Sequence, residues 1–221
     1  MNQTTVSTGS VHHGTKERIL DAAERMFAEH GFQAASLRQI TAEAGVNLAA
    51  VNYHFQSKEA LLTAVIHRCI EPVNLERLRL LDALEKAAGD GPLDLEAVVH
   101  ALLAPMFTLD EAMGSLRRLL GRLYSDPETS ALQMMFPAVL EVVERFRPAF
   151  LRAMPRARFP EAMTGMYFAI GAAAHFLATG HMLKLLGAGQ VPYEDRAWVL
   201  DKLVRYTAAG LRARTVEEAR P

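Results

Sequence analysis

Apolar residues recur every three or four positions along this chain, and nowhere do they alternate with polar ones over a run bounded by hairpin turns. That spacing belongs to helices packed on one another, so the expected fold is all-α. Ile19, Ala22, Ala23, Met26 and Phe27 form one stripe, with Thr15 the expected N-cap and Gly31 the terminator. Ser36-Leu37-Arg38-Gln39 has the form of a capping box, in which the serine side chain accepts from the Gln39 amide and Gln39 reaches back. Leu37, Ile40 and Ala44 then face inward from a second, short helix that Gly45 ends. Asn47 is placed to cap a third helix from Leu48 to about Tyr53, and Ser57 to cap a fourth. Leu61, Leu62, Val65, Ile66 and Cys69 give the fourth helix an inner face, which Leu75, Leu78, Leu81 and Leu84 are expected to continue past a kink at Pro72.

Gly89-Asp90-Gly91-Pro92 is the strongest break in the pattern. Five more helical segments are expected beyond it: 93–104, 111–124, 128–154 interrupted near Pro137 and Pro148, 161–186, and 194–213. From 162 to 183 the chain runs 22 residues without Asp, Glu, Lys or Arg, enough to span a bilayer. It also holds Gly165, Gly171, Gly180, His175 and His181, so a buried bundle helix is the better reading and no membrane partner is expected.

Composition sharpens this picture in a few places. Half of the 221 residues are apolar and 22% are charged, the balance of a globular protein with one large domain or a small one joined to a larger. The 24 basic and 25 acidic residues leave a net charge of -1, so a polyanionic partner has to be argued from local residues. Cys69 is the only cysteine, which excludes an internal disulfide and a cysteine zinc cluster and fits a reducing, cytoplasmic setting. Residues 1–14 lack Lys, Arg and any apolar run, and read as a loose polar arm. No G-x-S-x-G, glycine-rich phosphate loop or H-E-x-x-H occurs. His67 and Cys69 point about 200° apart on a helix, and His175 and His181 about 120° apart, so neither pair shares a metal. An enzyme is not expected, nor a cofactor or a metal site.

The chemistry lies between Ser36 and Phe55. A capped helix, a tight turn at Gly45 with Val46 beneath it, and a slim third helix together describe a helix-turn-helix. Leu48, Ala49 and Ala50 keep that third helix narrow enough for a major groove about 12 Å wide. Ser36-Leu37-Arg38-Gln39-Ile40, Ala44-Gly45-Val46 and Tyr53-His54-Phe55-Gln56-Ser57-Lys58 resemble the DNA-binding domain of TetR-type transcriptional regulators, over residues 15–65. The resemblance implies that Ser36, Tyr53, His54 and Lys58 contact phosphates. Arg38, Asn47, Ala49, Ala50 and Asn52 are then implied to lie against base edges or their backbone, and Leu48 is a further DNA-binding candidate on the same helix. Arg38 suits guanine and Asn52 adenine, because their donor and acceptor spacing matches those bases. Residues 1–70 hold six basic and six acidic side chains, so Glu24, Glu29 and Glu43 are expected to point away from a duplex.

One short reading helix binds weakly, and two copies one helical turn apart gain affinity for a palindromic operator, so a homodimer is expected. Residues 161–186 packed with 194–213 are the candidate interface, through Gly171, Ala174, Ala178, Trp198, Leu203 and Tyr206. Eight of the ten methionines lie between Met106 and Met182. With their aromatic neighbours, Met106, Phe107, Met113, Met134, Met135, Phe136, Met166 and Phe176 are candidates to line a cavity for a small apolar or amphipathic ligand. Arg145, Arg147, Arg152, Arg156 and Arg158 read as a solvated face rather than the holder of an anionic head.

The expected organisation is thus an arm over 1–14, a helix-turn-helix domain over 15–60, and a ligand-binding and dimerisation domain over 61–221. The C-terminal half also resembles, loosely, the family branch that responds to fatty acids or their thioesters. The resemblance implies a ligand-responsive repressor released from DNA by linkage, with Pro72 and the helix around it as transmitter. A helical carrier of lipids or acyl groups without DNA binding is the alternative, and it leaves Arg38, Asn52, Tyr53 and Lys58 without a reason.

Overall fold

A computed structural model describes residues 14–109, 114 and 130–217, and every regular element among them is helical. In chain order these are α1 (Thr15–His30), α2 (Leu37–Ala44), α3 (Leu48–Phe55), α4 (Lys58–Ala88) and α5 (Leu95–Thr108). They are followed by α6 (Ser130–Ala153), α7 (Phe159–Thr179), α8 (Met182–Leu186) and α9 (Arg196–Glu217). Most of the segment expected at 111–124 lies outside the described residues. The described chain falls into two compact units divided between Val65 and Ile66.

In the first unit, α1 packs on α2 and α3 around Ile19, Ala23, Phe27, Ile40, Val51 and Phe55, all buried. Each large side chain of this set contributes about 1.5–3 kcal/mol by leaving water. α1 starts one residue earlier than its expected cap: the Gly14 carbonyl already accepts from the Arg18 amide at 3.1 Å, so Gly14 is the N-cap and Thr15 is the first helical residue. α3 runs on to Phe55, whose buried ring extends the helix beyond Tyr53.

In the second unit α5 is the central helix, with Val98, Val99, Leu102, Leu103, Met106 and Phe107 buried against α6, α7 and α9. Prolines do not divide the helices here. α6 is continuous through Pro137 and Pro148, and α4 through Pro72. Each proline costs one backbone hydrogen bond but has a helical φ, and burial of Val142, Phe146, Ala149 and Phe150 holds α6 together. The expected leucine stripe of α4 is corrected: Leu75 is 61% exposed, and the buried line is Val73, Arg77, Leu81. The segment expected over 161–186 is two helices. After α7 the Gly180 amide bonds the Phe176 carbonyl at 2.7 Å, the Leu183 amide bonds the Gly180 carbonyl at 2.9 Å, and this tighter turn separates α8.

α7 is long and apolar enough to cross a membrane by length and composition, yet only 28% of its apolar window is buried within the chain. Ala162, Gly165, Met166, Ala169 and Ala173 face inward, while Tyr167 and Phe168 stand out at 75% and 55% exposure. The expectation of a fully buried helix therefore holds for one face only.

Candidate functional site

The turn between α2 and α3 follows from three local devices. At the start of α2 the Ser36 hydroxyl donates to Gln39 Oε1 at 2.7 Å and accepts from the Gln39 amide at 3.2 Å, while the Ser36 amide donates to the same Oε1 at 2.9 Å. At its end Gly45 adopts φ 62° and ψ 39°, left-handed backbone that glycine enters freely. The Gly45 and Val46 amides then return to the Ala42 and Thr41 carbonyls, which closes the helix. Asn47 Oδ1 accepts from the Ala50 amide at 3.0 Å and opens α3.

Val51 and Phe55 anchor α3 in the core, and the residues between them turn outward. Leu48, Ala49, Asn52 and Tyr53 are exposed, as are Ser36, Arg38 and Asn47, while Ala50, His54 and Lys58 are half-buried. Tyr53 is 84% exposed and meets the His54 ring edge-on at 5.0 Å between centroids, so it is no core anchor. The structure thus gathers all ten sequence-derived candidates on α2, the turn, α3 and the start of α4.

Several of these side chains already have internal work. The Ser36 hydroxyl is committed to the capping box, and Asn47 keeps only its amide group for an outside partner. The Lys58 ammonium donates to the Gln33 carbonyl at 3.2 Å and lies 4.5 Å from the Phe32 ring centroid. Partial burial there pulls its pKa below the ordinary lysine value. It therefore ties the loop after α1 to the start of α4, with donors left over for a phosphate. Glu43 is held by Arg25, with Nη2 to Oε1 at 3.0 Å, so this acid is paired within the unit.

Sequence reasoning missed the backbone at Gln56. Its φ is 67° and ψ is -40°, and across it the Ser57 amide donates to the Phe55 carbonyl at 2.7 Å. This is a γ-turn of the strained, positive-φ kind, set between α3 and α4. A non-glycine residue gives no sequence signal for it.

The ligand candidates of the second unit divide. Met106, Phe107 and Met166 are buried, and the Phe107 and Phe176 rings stack at 5.9 Å. Phe136 is 58% exposed, Met113 lies outside the described residues, and so do the side chains of Met134 and Met135. Of the five surface arginines, Arg145 bridges Asp82 at 2.5 Å and Glu85 at 3.0 Å, while Arg152 donates to the Gly91 carbonyl at 2.8 Å and to that of Gly89. Both fasten α6 to the end of α4 and the loop beyond it.

The interface candidates lie along α7 and α9. Tyr206 is 77% and Trp198 38% exposed, Ala178 is exposed, and Gly171, Ala174 and Leu203 are half-buried. A Cβ at Gly171 would meet nothing within 4 Å. Between α7 and α9 a groove of about 170 Å³ is lined by Phe168, Ala172, Tyr206 and Gly210, among others.

Residues 19–65 match the family model for bacterial regulatory proteins of the tetR family, and residues 96–210 match that for the tetracyclin repressor-like C-terminal domain. The chain is 37% identical over 60 residues to the HTH-type transcriptional repressor AcnR of Corynebacterium efficiens, covering 27% of this chain and 32% of that protein. It is 42% identical over 52 residues to the HTH-type transcriptional regulator UidR of Escherichia coli K12, covering 24% and 26%. The matches thus span about a third or less of each relative. The crystal structure of the transcriptional regulator FadR from Bacillus subtilis in complex with stearoyl-CoA superposes with a TM-score of 0.61 at 12% identity, over 88% of this chain and 98% of that one. At that identity the likeness is one of fold.

Proposed function

Because the chain belongs to the TetR family of bacterial regulators, we propose that it is a ligand-responsive transcriptional repressor that holds a palindromic DNA operator as a homodimer. The observation that carries this reading is the capped α2–turn–α3 unit, which buries Val51 and Phe55 and leaves Arg38, Asn52 and Tyr53 free to meet a duplex. Arg38 and Asn52 read base edges, Leu48, Ala49 and Ala50 lie against the groove, and Tyr53, His54 and Lys58 meet phosphates. Ser36 and Asn47 act through the helix ends they cap and through their remaining donors.

Two copies joined through α7 and α9 present two such units to half-sites one helical turn apart. The effector is a small apolar or amphipathic molecule taken up by the second unit. The buried Met106, Phe107 and Met166 support this, as does the stearoyl-CoA held by a protein of the same fold. An effector with higher affinity for the state that cannot span both half-sites weakens operator binding by that difference. The protein acts in the cytoplasm, where its single thiol stays reduced, and performs no catalysis.

The test is fluorescence anisotropy with DNA from upstream of the protein's own gene, repeated over a salt series. Specific DNA is expected to bind at least about 10³-fold more tightly than a scrambled duplex, with affinity falling linearly against the logarithm of salt concentration. Equal affinity for both duplexes would reject the proposal.

A further inference from the structure

The phosphate candidates of the first unit gather at one side of the reading helix. Tyr53 and His54 stand near the end of α3 and Lys58 at the start of α4, where its ammonium bonds the Gln33 carbonyl just ahead of α2. A major groove has a phosphate backbone on each of its two sides, about 12 Å apart. The second side falls at the far end of α2, because its eight residues, at about 1.5 Å of rise each, carry the chain roughly 12 Å from Ser36 to the turn at Gly45.

One side chain from outside the helix-turn-helix reaches that far end. Arg18 and Arg25 lie about two turns apart on α1 and so share a face. Arg25 ends in a bond to Glu43, close to the end of α2. Arg18, next in the row, reaches the turn itself: a Cβ on Gly45 would lie 3.9 Å from Arg18 Nη1. A long side chain that reaches a second element gives up rotamer freedom, and a bond at its end usually offsets the loss. Arg18 has no such bond. The side chain is exposed, and among the described residues its guanidinium makes no hydrogen bond or ion pair. All five of its N–H groups are open to an outside partner.

We infer that Arg18 is a further DNA contact, holding a backbone phosphate on the side of the groove opposite the one met by Tyr53, His54 and Lys58. This rests on the operator-binding reading given above and adds a residue from outside the helix-turn-helix. A guanidinium takes two oxygens of one phosphate through parallel hydrogen bonds, so the contact fixes how α1, and α3 packed on it, sit against the duplex. It carries no base preference of its own.

The experiment compares the purified full chain with Arg18→Ala and Arg18→Lys by fluorescence anisotropy, on the upstream duplex and its scrambled form, over a salt series. Arg18→Ala is expected to weaken both duplexes alike and to make the slope of log affinity against log salt shallower by about 1. Arg18→Lys is expected to restore the slope, since the charge remains, with only part of the affinity, since the fork is gone. Both variants are expected to melt with the parent, because the side chain ties nothing together inside the chain. Neutral methylphosphonates placed singly along each strand locate the contact. One position that weakens the parent is expected to leave Arg18→Ala indifferent, on the strand opposite the position that Lys58→Ala ignores.

A parent that binds the upstream duplex specifically, beside an Arg18→Ala variant of unchanged slope, would overturn the assignment and leave the repressor reading standing. So would a lowered melting temperature without a change of slope, or methylphosphonate positions for Arg18 and Lys58 on the same strand. A parent with no affinity for any duplex would remove the reading and the assignment together.

Discussion

Gln56 occupies backbone that favours glycine, at the point where the reading helix ends and the long helix begins. Gln56→Gly is therefore expected to raise stability by about 1 kcal/mol, the order of strain such a residue holds, and thermal melting of the variant checks it. A lower melting temperature would show that the Gln56 side chain contributes more than its backbone costs. Lys58 joins two roles that one substitution separates. Lys58→Ala is expected to reduce the slope of log affinity against log salt by about 1, from the lost phosphate contact, and also to lower the melting temperature, from the lost tie to Phe32 and Gln33. A changed melting temperature with an unchanged slope would make it an internal brace alone. Arg38→Ala is expected to relax discrimination at one base pair by about 1–3 kcal/mol, read by competition between operators mutated singly at each position. What sequence could not disclose at this scale is the internal employment of these residues. Nothing in the spacing of Phe32, Gln33 and Lys58 says that they meet, since a loop closes the distance, and nothing in a glutamine announces a positive φ.

At the scale of elements, the helices whose ends are written locally were legible and those shaped by packing were not. Ser36, Gly45, Asn47 and Ser57 each satisfy an orphaned backbone group within a few residues of themselves, so their signals survive without tertiary context. Pro137, Pro148 and Gly180 depend on neighbours. The prolines sit in a helix that burial sustains, whereas Gly180 stands where a tighter turn replaces one. The leucines of α4 misled for a related reason: four of them at regular spacing outline a stripe, but the face that α5 meets holds Arg77. Glycines on α7 also differ by face. A Cβ on Gly165 would come within 2.0 Å of Leu211 Cδ2 of α9, so Gly165→Ala is expected to cost about 1–3 kcal/mol in the monomer, as overpacking does. Gly171→Ala meets open space and is expected to leave monomer melting unchanged. Equal losses at both sites would mean that the α7–α9 contact is not the close crossing described.

At the scale of the whole molecule, the outer face of α7 and α9 is the feature that one chain leaves unfinished. Tyr167, Phe168 and Tyr206 are each more than half exposed, and the first two stand on α7, an apolar helix with little charge to compensate. A second copy placing the same face against it would bury those rings, and the small residues Gly171, Ala174 and Ala178 would allow the helices to approach closely. The proposed repressor needs that partner, since a single α3 cannot occupy two half-sites. Tyr206→Glu is the decisive substitution: the side chain is 77% exposed, so the monomer fold should not notice it, whereas two carboxylates brought near a symmetric interface oppose its formation. Sedimentation equilibrium is expected to show a dimer for the parent and a shift toward monomer for the variant. Operator affinity should fall by the lost coupling between half-sites, about 10²-fold or more, even though Tyr206 lies in the other unit from every residue assigned to DNA. A variant that stays dimeric moves the interface elsewhere, and one that turns monomeric yet keeps full affinity removes the need for paired reading helices.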